Sequence, residues 1–120
     1  MDLQLKDRCA LVTGSTSGIG TAIASVLARE GASVVVHGRD DQGRASKVSE
    51  NIRSSGGKAS FAIGDLKTDD GAIQVFKTAE KSFDKVDILV NNAGTYGENS
   101  WFQSTPDSWR NSTRPMCCRR

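Results

Sequence analysis

Two stretches of the chain are continuously apolar and rich in β-branched residues, at positions 9–13 and 32–36. Apolar runs of this length are typical of strands that are buried on both faces of a sheet. Two further runs, at 59–63 and 87–90, have a similar composition and stop before a glycine or an asparagine. The pattern therefore predicts four strands.

Between these runs, apolar residues recur at intervals of three and four, which is the spacing of one helix face. The face in the first interval is formed by Ile19, Ile23, Val26 and Leu27. The face in the third interval is formed by Ile73, Phe76, Ala79 and Phe83. The middle interval, residues 44–54, offers only Ala45, Val48 and Ile52 and gives a weaker helical signal. A glycine or a polar turn follows each of the three segments.

Strands and helices thus alternate, and no tight hairpin signal joins neighbouring strands. Alternation of this kind is typical of right-handed crossovers onto a parallel sheet. We therefore predict an α/β fold with a parallel sheet of about four strands. After Val90 the regular pattern ends, although Thr105 and Pro106 form a helix-start signal, with Thr105 as the cap and Pro106 at the first helical position.

The composition favours a small globular domain. The chain has 120 residues, of which 37% are hydrophobic, and a formal net charge of +2. Three of the basic residues lie in the last eight positions, so no basic surface argues for nucleic acid. No apolar run is long enough for a membrane span, and the first residues lack the apolar stretch of a signal peptide. We expect a cytoplasmic protein with no membrane and no nucleic-acid partner.

The cysteines predict neither a disulfide framework nor a metal site. The chain has three of them, and Cys117 and Cys118 are adjacent. Neighbouring cysteines do not match the spaced ligand pairs of a zinc site. We interpret Cys9, within an apolar run, as a small buried thiol.

A glycine-rich turn, Gly14-x-x-x-Gly18-x-Gly20, directly follows the first predicted strand and opens the first predicted helix. Glycines at this place let backbone N–H groups and a helix N-terminus approach a pyrophosphate. The spacing is one residue longer than the usual dinucleotide fingerprint, and a plain strand-to-helix turn is the alternative. The position between strand and helix favours nucleotide binding.

Three motifs together resemble the classical short-chain dehydrogenase/reductase family. They are the Thr13-Gly14 turn, Gly64-Asp65-Leu66 after the third strand, and Asn91-Asn92-Ala93-Gly94 after the fourth. The resemblance covers residues from about 5 to 110 and corresponds to the family's first half. It implies a partial Rossmann fold and a hydride transfer between NADP(H) or NAD(H) and a carbonyl or alcohol in the intact enzyme.

The resemblance also implies roles for individual residues. Those lining the pyrophosphate and ribose would be Gly14, Ser15, Thr16, Ser17 and Ile19, while those permitting the close approach would be Gly18 and Gly20. Asp65 would accept from the adenine amino group, with Leu66 beside it. The residues facing the ribose and nicotinamide would be Asn92, Ala93 and Gly94, while Asn91 would connect neighbouring backbone. Ordinary polar turns are the alternative for the Asp65 and Asn92 segments.

The choice of cofactor depends on the end of the second strand, where an acidic residue would accept from a ribose 2′-hydroxyl. Gly38 stands where the family's NAD-selective acid is usual, and Arg39 follows it. A guanidinium can bind a phosphate with two hydrogen bonds, so NADP(H) is favoured and NAD(H) stays possible. In the contrary reading, Asp40 or Asp41 approaches the ribose or pairs with Arg39.

No residue of this chain is predicted to be catalytic. The family's chemistry uses a tyrosine with a lysine four residues later, but the single tyrosine, Tyr96, is followed at that spacing by Ser100. His37, the single histidine, is predicted to have a packing or cofactor-edge role. Trp101, Phe102 and Trp109 could line a substrate pocket, but aromatic residues in such segments usually only pack. We expect this chain to be inactive, and a non-catalytic dinucleotide-binding module is the alternative function.

Residues 1–110 are interpreted as the dinucleotide-binding portion, and residues 111–120 as an irregular tail. The tail has no amphipathic spacing and contains Pro115. The tail can be encoded by codons that, when translated in a shifted reading frame, give an amphipathic segment with an asparagine. We therefore interpret the tail as a frameshift product. A genuine short protein is the alternative. The family's sheet continues past the fourth strand, and we therefore expect weak or no stable folding in isolation and infer no oligomeric state.

Overall fold

The structure, a computed structural model, describes residues 2–94 and 105–107. In these residues three helices alternate with four strands. Their order is β1 (Cys9–Val12), α1 (Gly18–Arg29), β2 (Ser33–Gly38), α2 (Gln42–Ser54), β3 (Lys58–Ile63), α3 (Asp69–Phe83) and β4 (Ile88–Val90). The alternation predicted from the apolar runs is confirmed, with strand ends that differ by one or two positions.

The four strands form one parallel sheet in the order β3-β2-β1-β4. In register, Val12 of β1 lies beside Val36 of β2 and Val90 of β4, and Gly38 lies beside Ile63. The sequence prediction of an α/β fold with a partial Rossmann sheet is confirmed. Because all strands run in the same direction, their carboxyl ends and the turns that follow them meet at one edge of the sheet.

Side chains of alternate residues along the strands enter two separate cores. Val34 and Val36 of β2 pack with α1 and α2 on one face, whereas Val35 packs with α3 on the other. The first core is larger and includes Ile52 of α2, and the second includes Val75 of α3. Two covered faces explain why the strand sequences are continuously apolar instead of alternating.

The predicted faces of α1 and α3 are confirmed only in part. In α1, Ile23 and Leu27 pack against the core as predicted, whereas Ile19 is 74% exposed. The fully buried positions of this helix are the small residues Gly20, Ala24 and Ala28, which let it approach the sheet closely. In α3, Ala79 is buried and Phe83 packs against the core as predicted, while Ile73 and Phe76 are exposed. The face predicted for α2 is confirmed.

Two other features agree with the sequence analysis. Pro106 and Asp107 are helical and Thr105 precedes them, as the helix-start signal predicts. Cys9 is buried and free, and burial raises the pKa of its thiol. Within residues 2–94 and 105–107, no helix is long and apolar enough to cross a membrane, and no cluster of three metal-ligating side chains occurs. Cys117, Cys118 and the aromatic residues of the 96–109 segment lie outside the described residues.

Candidate functional site

A cavity of about 370 Å³ lies at the carboxyl edge of the sheet, where the turns after all four strands meet. Its walls come from the glycine-rich turn, the end of β2, the turn after β3 and the turn after β4. The lining residues are Gly14, Thr16, Ser17, Ile19, Gly20, His37, Gly38, Arg39, Asp65, Leu66, Asn92, Ala93 and Gly94. This edge, at a place where the strand order reverses, is where open α/β sheets bind their ligands.

Two glycines allow the turns around the cavity to approach one another. Gly14 has a φ of 62°, and a Cβ there would lie 2.8 Å from the Cα of Ala93. A Cβ on Gly20 would lie 2.6 Å from Nδ2 of Asn92 and would overlap the carbonyl oxygen of Gly14. Any larger residue at either position would push the turn after β4 away from the turn after β1.

The N-terminus of α1 opens into the cavity without a side-chain cap. Ser17, the capping residue, has extended backbone and makes no capping hydrogen bond. In contrast, Asp41 caps α2 by accepting from the amide of Arg44, and Thr68 caps α3 by accepting from the amide of Gly71. First-turn amides that no side chain caps, together with the positive end of the helix dipole, suit an anionic group such as a pyrophosphate.

Thr13 and Asn92 hold the turns after β1 and β4 together. The hydroxyl of Thr13 accepts from the amides of Asn92 and Ala93, at 3.0 Å each, and donates to the carbonyl oxygen of Val90 at 3.3 Å. The side-chain amide of Asn92 donates to the carbonyl oxygens of Thr13 and Gly14, at 3.2 Å each. The backbone-connecting role expected for Asn91 therefore belongs to Asn92, which also lines the cavity.

His37 joins two other turns. It is buried, its Nδ1 accepts from the amide of Gly14 at 2.9 Å, and its Nε2 lies 2.8 Å from the carbonyl oxygen of Gly64. Burial lowers the pKa of His37 below its ordinary value, opposed by the hydrogen bond to Gly64 and by the nearby Asp65 carboxylate. The expected packing or cofactor-edge role agrees with this position.

The structure does not bring every predicted residue to the cavity wall. Ser15 is fully buried: its hydroxyl donates to the carbonyl oxygen of Val12 at 2.7 Å and accepts from the amide of His37 at 2.9 Å. Gly18, the first residue of α1, is exposed outside the lining. The side chain of Ser15 therefore connects β1 to β2 instead of facing a ligand, because the chain turns inward between Thr13 and Thr16.

Arg39 lies in the cavity wall beside Gly38. Its side chain is 57% exposed, and its guanidinium lies 3.7 Å from the carboxylate of Asp40. Asp41 is engaged elsewhere, because it caps α2 and pairs with Arg44 at 3.4 Å. Of the two acidic residues considered as ribose partners, Asp41 is thus held by α2, and Asp40 pairs with Arg39.

The turn after β3 presents a carboxylate to the cavity. Oδ1 of Asp65 accepts from the amide of Lys67 at 2.9 Å, and the backbone carbonyl of Asp65 accepts from the hydroxyl and amide of Thr68. These bonds close a compact turn that leads into α3. Leu66 follows Asp65 in the cavity wall and also packs against the core beneath α3.

The match to known families agrees with this arrangement. A family model described as short chain dehydrogenase matches residues 8–114. The chain belongs to the short-chain dehydrogenase family. Among its relatives is the Bacillus subtilis oxidoreductase YvaG, which is 40% identical to this chain over 111 residues. That match covers 91% of this chain and 40% of YvaG. A 3beta-hydroxysteroid dehydrogenase from Mediterraneibacter gnavus is 37% identical, covering 94% of this chain and 43% of that protein.

Solved structures of short-chain dehydrogenases share the fold. A 3-oxoacyl (acyl-carrier-protein) reductase from Agrobacterium tumefaciens with NADP bound has a TM-score of 0.76 at 39% identity, covering 90% of this chain and 41% of that one. An L-sorbose reductase from Gluconobacter frateurii, complexed with NADPH and L-sorbose, has a TM-score of 0.80 at 33% identity. That match covers 92% of this chain and 42% of the reductase chain. This chain spans about 40% of the length of the relatives it matches.

Two lining residues, His37 and Gly38, had no predicted contact with the cofactor, although a cofactor-edge role was one of the two predicted for His37 and Gly38 stands at the position of the NAD-selective acid. Both lie at the end of β2, and Gly38 pairs in register with Ile63. The signal that could have found them is the parallel arrangement itself, because the last residues of every strand in a short-chain dehydrogenase sheet meet at the same edge.

Proposed function

We propose that this chain is the NADP(H)-binding portion of a short-chain dehydrogenase that transfers hydride between the nicotinamide and a carbonyl or alcohol substrate. The observation that supports the choice of cofactor is the pair Gly38 and Arg39 in the cavity wall. A guanidinium at this position suits a 2′-phosphate, and no carboxylate at position 38 repels one. The NADP-bound relatives of similar fold favour the same choice.

The remaining wall suggests how a dinucleotide would lie across the carboxyl edge of the sheet. We assign the adenine to the side of Asp65 and Leu66, where the carboxylate can accept from an exocyclic amine. The pyrophosphate would lie against the N-terminus of α1, contacted by the turn of residues 14–20. The nicotinamide and its ribose would lie towards the turn of residues 92–94.

Replacement of Arg39 tests the assignment of the 2′-phosphate. We expect Arg39→Ala to weaken NADPH binding about tenfold, because a charge-assisted hydrogen bond is lost at a partly exposed site, and to leave NADH binding nearly unchanged. The measurement is the Kd of each cofactor for the 120-residue chain by calorimetric titration. The matched control is Arg44→Ala, since Arg44 pairs with Asp41 and lies outside the cavity lining.

Two results would contradict this assignment. Equal losses for NADPH and NADH in Arg39→Ala would mean that Arg39 does not read the 2′-phosphate. Tighter binding of NADH than of NADPH by the unaltered chain would favour NAD(H) as the cofactor. Binding of neither cofactor by a chain that circular dichroism shows to be folded would contradict the proposed function as a whole.

We further propose that these 120 residues hold the cofactor without catalysing the reaction. A bound nicotinamide would supply or accept the hydride, but the printed sequence contains no Tyr-x-x-x-Lys pair to serve as acid and base. Oxidation of NADPH by the 120-residue chain with any of a panel of ketones would contradict this. The second candidate function, a non-catalytic dinucleotide-binding module, rests on the same missing pair.

The domain boundary and the tail stay proposals as well. We propose residues 1–110 as the dinucleotide-binding portion and residues 111–120 as frameshift product. Sequencing of the encoding DNA from codon 105 onward tests this, with translation of all forward frames. A second frame that continues with an asparagine-bearing helix and then Tyr-x-x-x-Lys is the expected result; its absence would favour the non-catalytic module.

The free buried thiol of Cys9 supports a reducing compartment, and we propose the cytoplasm.

A further inference from the structure

The imidazole of His37 connects the two turns that would hold opposite ends of an adenosine diphosphate group. On one side it meets the amide of Gly14, in the glycine-rich turn. On the other it meets the carbonyl oxygen of Gly64, the residue before Asp65. The amide of His37 also donates to the hydroxyl of Ser15, so both its backbone and its side chain contact the glycine-rich turn.

The two partners determine which nitrogen of His37 carries the proton. A backbone amide can only donate, so Nδ1 must be the acceptor from Gly14. A carbonyl oxygen can only accept, so Nε2 must carry the hydrogen that it donates to Gly64. The arrangement is therefore complete only for the neutral imidazole protonated at Nε2.

We propose that His37 is a positioning residue of the dinucleotide site, whose neutral imidazole sets the distance between the pyrophosphate-binding turn at Gly14 and the adenine-binding turn at Asp65. This inference rests on the proposed function. It assigns His37 no contact with the reacting atoms. Its effect passes through the backbone of Gly14 and Gly64.

Protonation of His37 would place a second hydrogen, on Nδ1, against the amide of Gly14. Two donors would then face each other, and the amide of Gly14 would lose its acceptor. Charged residues occur in two of the segments that meet at the ring, with Asp65 and Lys67 in the turn after β3, and Arg39, Asp40 and Asp41 after β2. The glycine-rich turn contributes none. The hydrogen bond to Gly64 and the Asp65 carboxylate favour the charged ring, but burial outweighs both and keeps the pKa of His37 low.

Dinucleotide binding should therefore be coupled to deprotonation of His37. As the pH falls below the pKa of His37 in the free chain, the Kd should rise by up to tenfold per pH unit. The measurement is the Kd of NADPH and of NADH for the 120-residue chain from about pH 8 to pH 5, the range in which a histidine titrates. NADH is included because the 2′-phosphate of NADPH itself titrates near pH 6.

Two variants separate positioning from simple packing. In His37→Asn, the side-chain oxygen can occupy the place of Nδ1 and accept from Gly14, but it does not titrate. Because the hydrogen bond to Gly64 is lost, we expect this variant near pH 8 to bind more weakly than the wild type but more tightly than His37→Leu, and to lose the extra dependence on pH. In His37→Leu, no acceptor remains, and we expect about tenfold weaker binding at every pH. The asparagine would thus recover affinity that the leucine loses.

Three outcomes would overturn the inference. The first is a pH dependence of NADH binding that is the same in the wild type and in His37→Asn over the range in which the His37 ring takes up its second proton. The second is tighter binding by the wild type on acidification, which an imidazolium that attracts the pyrophosphate would produce. The third is a nitrogen NMR spectrum in which the His37 ring of the wild type is not the neutral Nε2-protonated form near pH 8; it needs no variant. Failure of the wild type, shown to be folded by circular dichroism, to bind either cofactor at any pH would overturn the proposed function and this inference with it.

Discussion

The hydroxyl of Thr13 connects the turn after β1 to the turn after β4. It is buried, and it is the acceptor for the consecutive amides of Asn92 and Ala93. Both amides belong to the turn that would face the nicotinamide. The side chain of Thr13, directly after β1, thus determines where that turn lies, although it is not itself in the cavity lining.

We expect Thr13→Val to destabilise the chain by about 1–3 kcal/mol, because two amides lose their acceptor with little change in side-chain volume. The free energy of unfolding can be measured in urea, in the cold and with sucrose added to favour the compact state. Thr13→Ser keeps the hydroxyl and serves as the control, with a smaller loss. Equal losses in the two variants would show that the methyl group and not the hydroxyl matters.

Asp87 forms a second polar connection, at the opposite end of β1. Its Oδ2 accepts from the amide of Cys9 at 2.9 Å, and Lys85 and Arg8 lie 3.3 and 4.0 Å from the carboxylate. The hydrogen bond from Cys9 and the two cations outweigh partial burial and hold the pKa of Asp87 below its ordinary value. A carboxylate with a lowered pKa stabilises the fold above its unfolded pKa, and this contribution is lost as the pH falls through the folded value.

Asp87→Asn should therefore lower stability near neutral pH, and the difference from wild type should shrink as the pH falls below about 4, the ordinary aspartate value. The measurement is the urea midpoint of each chain across this range. Asp84→Asn is the matched control, because Asp84 is exposed at the end of α3 and its left-handed conformation accepts asparagine. A difference at Asp87 that does not change with pH would contradict the role of its charge.

The elements are held by their ends as much as by their faces. Thr68 caps α3, with its hydroxyl accepting from the amide of Gly71 at 3.0 Å, and the same hydroxyl donates to the carbonyl oxygen of Asp65 at 3.1 Å. The start of α3 and the turn that presents Asp65 are therefore one hydrogen-bonded unit. Loss of the cap should affect both the helix and the adenine side of the cavity.

We expect Thr68→Ala to lower stability by about 1 kcal/mol, the usual contribution of an N-cap hydroxyl, and to weaken NADPH binding through the displaced Asp65 turn. Thr78→Ala in the same helix is the control. Its hydroxyl bonds the carbonyl oxygen of Gln74, four residues earlier, so its removal should be neutral or slightly stabilising. Urea unfolding of both variants gives the comparison. A loss at Thr78 equal to that at Thr68 would mean that the cap has no special role.

At the scale of the whole molecule, the strands of the sheet differ in whether they have a neighbour on both sides. β2 lies between β1 and β3, whereas β4 is three residues long and forms one edge of the described sheet. Leu89 of β4 is 50% exposed, although it lies in register beside the buried Leu11. An exposed strand edge with an apolar side chain favours pairing with another chain. The weak folding expected from the sequence stays a prediction.

We expect the 120-residue chain to self-associate through this edge, and Leu89→Lys to reduce the association, because a charge on an edge strand opposes pairing. Sedimentation velocity over a range of concentrations measures it. Val26→Lys is the matched control, since Val26 is a similarly exposed apolar residue on α1, away from the edge. An equal reduction in both variants would indicate a general effect of charge on solubility.

The sequence by itself determined the order of strands and helices and most of the cavity wall. The strands were predicted from apolar runs, and the buried face of α2 was predicted from the spacing of Ala45, Val48 and Ile52. Both are local patterns that can be seen without knowledge of distant contacts. Most of the predicted residues lie together because strands of one direction end at one edge. The family motifs therefore located the candidate site before any geometry was known.

Only the tertiary structure decided which polar side chains face the cavity and which positions of α1 and α3 are fully buried. Ser15 belongs to the glycine-rich motif, but its hydroxyl is turned inward to His37, a partner 22 positions away. Gly20 and Ala24 of α1 face the sheet instead of Ile19 because close approach of helix to sheet favours small residues. These outcomes depend on contacts between segments that are far apart in the chain, and a local pattern carries no information about such contacts.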